Sequence, residues 1–291
     1  MRTYPECVPC ILRATVQALH RAGVMEASIW RALQAAVAVC SAHDPSLPPI
    51  VLGGAVAEVV RPQAGVLDPY KEAKVKGNAQ ALSLYPQWVR QVRRSDRPLV
   101  AALQLAAAGN SLDLGIFGDG ELDHALREAL SLPLRARDLE AFLEELKRAS
   151  TVLYIADNAG ELVVDRILIE ELLGMGKEVT LAVRGGPILN DATREDAAQV
   201  GLDRVVPVIT TGAALPGVFL ERGSPEFLEA FDRADVVLAK GMGNFEGLAE
   251  APRPVFLLFR AKCRPISLEA GVGLGELVLC RGGEGVPAHE G

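Results

Sequence analysis

An acid and an amide, Asp157-Asn158, stand directly after an apolar run at 151–156 and before a helix-periodic segment at 160–174. Side chains so placed lie at the carboxyl end of a strand, where open α/β sheets build their sites. A second acid, Asp191, falls in the loop after the next apolar run, at 178–184. Sequential strands are neighbours in space about two-thirds of the time, so the two loops can share one pocket. Asp157, Asn158 and Asp191 would bring it three hard oxygen donors, a set that suits a magnesium-like cation. The competing reading is structural, because Asp or Asn ahead of a helix is an ordinary N-cap.

Further residues could serve such a site. Glu161 belongs to the first loop. Asp165, one helical turn later, reads as a solvated acid. Arg184 opens the second loop and could reach a phosphate or pair with a surface carboxylate. After the apolar run at 235–239 come Lys240, three glycines, Asn244 and Glu246. In a parallel sheet Asn244 and Glu246 would share a rim with Asp157. This loop comes late in the sheet, so the dinucleotide-binding fingerprint does not apply, and glycines alone imply only a tight turn. Lys262-Cys263 follows the run at 255–259, and a lysine there can act as a point charge for phosphate.

In the first half, Asp68 opens a helical segment and Asn110 and Asp113 lie in a polar loop after an Ala-rich one. That loop is either a substrate-facing turn or a plain helix end. Cys7 and Cys10 form a lone CxxC, with no second pair of cysteines or histidines to complete a zinc site. Packing on a helix face is the leading reading of the pair, and partial metal binding the second.

The elements that must position these residues divide near position 150. Before it, helical periodicity dominates, at 6–22, 25–42, 53–61, 69–84, 97–108, 121–131 and 137–149, without a run of strands. After it, strands are expected at 151–156, 178–184, 204–209, 235–239, 254–259 and 276–281, with helices at 160–174, 193–200, 225–233 and 244–250. Alternation of apolar strands with helices predicts an α/β fold. A helical N-terminal region, 1–150, would precede a Rossmann-like three-layer α/β/α core, 151–291, with a mainly parallel sheet. The tail from 282 is expected to fray.

Composition bounds the partners. Of 291 residues 49% are hydrophobic, ample for a core, while 5% aromatic content and a net charge of −7 argue against a nucleic-acid partner. No apolar run reaches membrane-spanning length and the first residues lack a signal-peptide pattern, which predicts no membrane partner. Five cysteines in a chain of this size point to a reducing, cytoplasmic setting.

Seven motifs in one order complete the reading: CxxC at Cys7, DPY with a later lysine at Asp68, GNxxD at Gly109, DNAGE at Asp157, RxxPxxND at Arg184, KGxGNxE at Lys240 and KC at Lys262. In this order they resemble the metal-dependent damage-control phosphatase family, long catalogued as a domain of unknown function, in its prokaryotic CxxC-containing branch. The resemblance implies a Rossmann-like core behind a helical region and one divalent metal ion (Mg²⁺, Mn²⁺, Co²⁺ or Ni²⁺) on Asp157, Asn158 and Asp191. It implies hydrolysis of phosphomonoesters of small metabolites such as sugar phosphates. Asn110, Asp113, Asn244 and Glu246 would face substrate, with Arg184 beside them. Lys262 would take phosphate oxygens, Asp157 or a water molecule would attack phosphorus, and Glu161 or Glu246 would act as base. Two other classes stay open: a non-catalytic metal- or nucleotide-binding module, and a Rossmann-like methyltransferase, against which the lack of a glycine-rich loop after the first strand counts. Homo-oligomerisation is left open.

Overall fold

In the computed structural model the described residues are 1–65, 67–109, 127–128 and 130–283. Asn110 and Asp113, with most of the segment 121–131 and the tail past 283, lie outside them.

Five helices come first: α1 (Cys7–Arg21), α2 (Glu26–Ala42), α3 (Pro49–Ala64), α4 (Lys71–Arg93) and α5 (Pro98–Gly109). Pro49 starts α3, where a missing N–H costs nothing, and Gly65 ends it in the left-handed region. A strand the sequence did not announce, β1 (Leu134–Ala136), precedes α6 (Leu139–Arg148). Alternation follows with β2 (Thr151–Ile155), α7 (Leu162–Gly174), β3 (Glu178–Val183), α8 (Arg194–Gln199) and β4 (Val208–Thr210). The last elements are α9 (Pro225–Arg233), β5 (Val236–Lys240), α10 (Met242–Leu248), β6 (Val255–Arg260), α11 (Arg264–Ala270) and β7 (Leu277–Gly282).

The seven strands form one sheet in the order β1-β7-β6-β5-β2-β3-β4. All neighbours are parallel except β6 and β7, which run antiparallel. The expected mainly parallel sheet is thus present, with β7 and the edge strand β1 reversed relative to the other five.

Side chains alternate across each strand, so each face feeds a different core. Val152 and Tyr154 of β2 join Phe256, Leu258, Leu277 and Leu279 beneath α4 to α8. Leu153 and Ile155 join Val237, Leu257 and Phe259 on the other face, against Phe227 and Phe231 of α9 and Phe245 of α10. A third cluster, with Leu19, Ile29, Ala36, Leu52 and Val56, belongs to α1, α2 and α3. Packing is continuous across residue 150, since Phe142 and Leu146 share the first cluster with Val152 and Leu277. The α4 helix continues beyond its expected end through Pro86, because Trp88 and Val92 on its next turns are buried. Among the described residues no helix is long and apolar enough to cross a membrane.

Candidate active site

Strand β2, an interior strand, has β3 on one side and β5 on the other. From it the chain builds outward first through β3 and β4, then through β5 and β6, so strand order reverses beside β2. A crevice opens at such a switch point, beyond the carboxyl ends of the strands. The loops after β2 and β3 are stitched together there. Asn158 and Asp191 form an antiparallel bridge. The Ala192 amide donates to the Asp157 carbonyl at 2.8 Å, and the Ala159 amide to the Asn190 carbonyl at 2.9 Å. Neither Asp157 nor Asp191 is a helix cap: the residue preceding α7 is Glu161, and α8 is capped by Thr193, whose capping box uses Asp196. Leu189 has φ 44°, the one positive value for a non-glycine among the described residues, two positions before Asp191. Strain of this kind gathers where surroundings over-determine a functional loop.

Charge at the crevice is organised by Arg184, which is buried. Its Nε donates to Asp191 Oδ2 at 2.6 Å, its Nη2 to Asp157 Oδ1 at 3.5 Å and its Nη1 to Asn244 Oδ1 at 3.1 Å. The expected partners, a phosphate or a surface carboxylate, are replaced by three buried acceptors, so this arginine aligns the acids. Asn244 is corrected likewise. It is fully buried, and its Nδ2 donates to the carbonyls of Ala156 at 3.1 Å and Lys240 at 2.6 Å. It clamps the ends of β2 and β5 instead of facing substrate.

Glu161 and Asp165 are equally changed by the structure. Both are fully buried, and Lys240 Nζ, also buried, meets Glu161 Oε2 at 3.2 Å and Asp165 Oδ1 at 2.9 Å. Tyr154 donates to Asp165 Oδ1 at 2.7 Å. Glu161 therefore lies in an interior ion cluster, which removes it as a base reaching substrate, and Asp165 is not solvated. Lys240 was only the first letter of a glycine motif in the sequence. The signal that could have found it is its place as the last residue of a strand buried throughout. Burial raises the Asp165 carboxyl to about 6 against the lowering by Lys240.

The same cluster sets Asn158. Its Nδ2 donates to Glu161 Oε1 at 2.6 Å and to Asp157 Oδ2 at 3.1 Å. Both amide hydrogens are so directed, which leaves the carbonyl oxygen for another partner. Two amides at the approach to α7 are already engaged: Ala159 N–H donates to the Asn190 carbonyl and Leu162 N–H to the Ala159 carbonyl.

A cavity of about 430 Å³ adjoins this crevice, lined in part by Glu246, Lys262, Met242 and Leu189. Lys262 is exposed and its charge draws the Asp157 carboxyl down, while burial and the charges of Glu161 and Asp191 push it up. Half-buried Glu246 is raised to about 8, chiefly by burial. Cys7, Cys10 and Cys263 all line the cavity, with free thiols. Burial lifts the Cys7 thiol to about 11, which opposes thiolate chemistry there. Asp68 and Lys74 serve the site from a distance. Lys74 pairs with Asp68 at 2.9 Å and with Asp196 at 3.2 Å, and Asp196 is the capping acid of α8. The helical region is thereby fastened to the segment that follows Asp191.

Do these residues fit a divalent cation? Among the described residues no three His, Cys, Asp or Glu side chains converge at metal-holding spacing. The donor set here is two carboxylates and an amide oxygen, hard ligands of the kind magnesium and manganese take. Gly241 leaves room for it: at φ +83° it has no Cβ, and a Cβ would stand 1.9 Å from Asp157 Oδ2. Burial first, and then neighbouring acids, raise both Asp157 and Asp191 despite Arg184, so their charged forms are disfavoured without a further counter-charge. The residues fit such an ion.

Known proteins resemble this chain over most of its length. The family model described as the damage-control phosphatase ARMT1-like domain matches residues 3–278. A damage-control phosphatase of Pyrococcus horikoshii is 34% identical over 286 residues, covering 97% of this chain and 98% of that protein. An uncharacterized protein of Methanocaldococcus jannaschii is 35% identical over 95% of this chain and 94% of its own length. The crystal structure of a DUF89 family protein from Pyrococcus horikoshii superposes with a TM-score of 0.89 at 34% identity, covering 97% of this chain and 99% of the other. Members of this family depend in general on divalent metal. The chain belongs to the ARMT1-like damage-control phosphatase family.

Proposed function

We propose that this protein hydrolyses phosphomonoesters of small metabolites with one divalent cation held by Asp157, Asn158 and Asp191, in a cytoplasmic setting that suits its free cysteines. The observation that carries the reading is the backbone bridge between Asn158 and Asp191, which gathers the three donors at the switch point of the sheet. When bound, the ion supplies Lewis-acid neutralisation of a phosphate oxygen and of charge growing in the transition state.

The chain's own groups supply the rest. Exposed Lys262, at the cavity, meets the remaining phosphate oxygens as a point charge. Asp157 accepts from Arg184 through Oδ1 and from Asn158 through Oδ2. Both oxygens being hydrogen-bonded lowers its nucleophilicity, which favours water as the attacking group. Glu246, raised to about 8, carries a proton at neutral pH and can give it to the leaving alkoxide. Arg184, Asn244, Lys240 and Glu161 position the donors and do not touch substrate.

The test is phosphate release from p-nitrophenyl phosphate and primary alkyl phosphates with Mg²⁺, Mn²⁺, Co²⁺ or Ni²⁺. Chelation should abolish it, and Asp157→Ala should lower kcat/KM by at least about 10²-fold, the scale for losing a group that stabilises transition-state charge. Full metal-dependent activity in Asp157→Ala would overturn the site.

A further inference from the structure

The cavity beside the donors bears on what the phosphate is attached to. It lies between α1, α3, residues 67–70 and the loops after β3, β5 and β6, and its volume of about 430 Å³ is that of a small-molecule site. Its wall includes the side chains of Ile11, Ala14, Ile50, Val60 and Ile188. Pro49, Pro69, Pro187 and Pro216 also line it, and a proline has no N–H to donate.

Several of the polar groups on this wall are already engaged. Thr15 donates its hydroxyl to the Ile11 carbonyl at 2.9 Å, and Arg61 donates to the Pro187 carbonyl at 2.9 Å. Glu246, in α10 after β5, and Lys262, after β6, belong to the carboxyl edge of the sheet where the proposed donors lie, and they mark the end for the phosphate. Arg13 is exposed. The rest of the wall is mainly apolar, with Tyr70 and the thiols of Cys7 and Cys10 among it.

We infer that the substrate is a phosphomonoester with an apolar body, an alkyl, aryl or acyl chain, and not a polyhydroxylated sugar. This rests on the phosphatase reading and names the substrate class of that same site. A sugar placed here would bury several hydroxyls against a mainly apolar wall, and a buried hydroxyl left without a partner is disfavoured. An alkyl chain loses no hydrogen bonds and removes apolar surface from water.

The test compares n-hexyl phosphate with glucose 6-phosphate, in the presence of Mn²⁺. Both are esters of primary alcohols, so their leaving groups are alike and the difference reports binding of the body. The hexyl ester should lead by at least about ten-fold in kcat/KM, the scale of discrimination in apolar pockets. Val60→Thr keeps the side-chain shape and adds a hydroxyl to the wall, and should reduce the hexyl-to-glucose ratio several-fold. A sugar ester hydrolysed as well as the hexyl ester overturns the inference and leaves the phosphatase reading standing. An unchanged ratio in Val60→Thr also overturns it, since the body then sits elsewhere. Hydrolysis of no ester, p-nitrophenyl phosphate included, overturns both.

Discussion

Arg184 donates to Asp191 at 2.6 Å and to Asp157 at 3.5 Å, so one buried guanidinium serves both carboxylates proposed to hold the cation. Removing it leaves two interior acids without their protein counter-charge. Breaking a buried pair costs about 3–5 kcal/mol, so Arg184→Met should lose stability on that scale without metal. A cation that binds only the folded state restores about 2.7 kcal/mol at a hundred times its Kd. Melts in EDTA and in Mn²⁺ should therefore show a larger metal-induced rise in Tm for Arg184→Met than for the parent. An equal or smaller rise would contradict the shared role.

Lys240 invites the converse experiment. It compensates Glu161 and Asp165, and Glu161 in turn orients the Asn158 amide. Lys240→Met should destabilise by about 3–5 kcal/mol, read from urea unfolding. Adding Glu161→Gln and Asp165→Asn should recover much of that loss, because the unpaired charges are then gone. Activity should stay low in the triple variant, since Glu161→Gln takes away the charged acceptor that orients Asn158.

Gly241 provides a steric test. Its φ of +83° is strained for any side chain, and a Cβ would meet Asp157 Oδ2 at 1.9 Å. Its backbone, with φ 83° and ψ 164°, lies in a region open essentially to glycine alone, which by itself costs Gly241→Ala about 1–3 kcal/mol. Displacement of the Asp157 carboxylate should also lower kcat/KM by roughly 10²-fold, the penalty for about 1 Å of misplacement. Titration calorimetry should show weaker metal binding, and unaltered binding with unaltered turnover would count against the role given to Asp157.

The pH response follows from Glu246. Its folded value, about 8, lies above the ordinary 4.5 because of burial. The folded state then holds the proton over a range in which the unfolded chain has released it, and stability must fall with rising pH. The contribution is fully present below about 4.5 and is lost as pH rises through about 8. Metal-free protein should melt at progressively lower temperature across this window, and Glu246→Gln should flatten the decline. A profile identical in the two proteins would remove Glu246 as its source.

The sequence showed the strand ends well and their interior wiring poorly. The central strands β2, β3, β5 and β6 are apolar because each is covered on both faces, so continuous hydrophobic runs disclosed them. Strand direction leaves no such mark, which is why the reversal of β7 against β6 was not legible. Short β1 offers too few residues for any pattern. The α11 helix did carry a signal, Pro265 in its first turn, which went unread. The position of Asp157, Asn158 and Asp191, the proposed donors, at the carboxyl edge of the sheet was readable because they follow strand runs. Asp165 was misread because an acid on a helix is by default a solvated one, and the lysine that holds it is far along the chain. Arg184 and Asn244 were recognised as site residues but assigned to substrate, since local sequence cannot show that their partners are buried protein atoms.

The Asn158–Asp191 bridge joins the loops that follow the two strands of one strand–helix–strand unit. Closing that stretch of chain carries an entropy cost that grows only with the logarithm of its length. Lys240 and Asn244, the residues that lock the donors, come from a strand much later in the chain and the helix after it. Folding should thus gather the oxygen ligands before it makes them rigid. A chain halted between those stages would hold a pliant set of ligands, open to many cations and shaped for none, so discrimination among metals is acquired only when β5 docks beside β2.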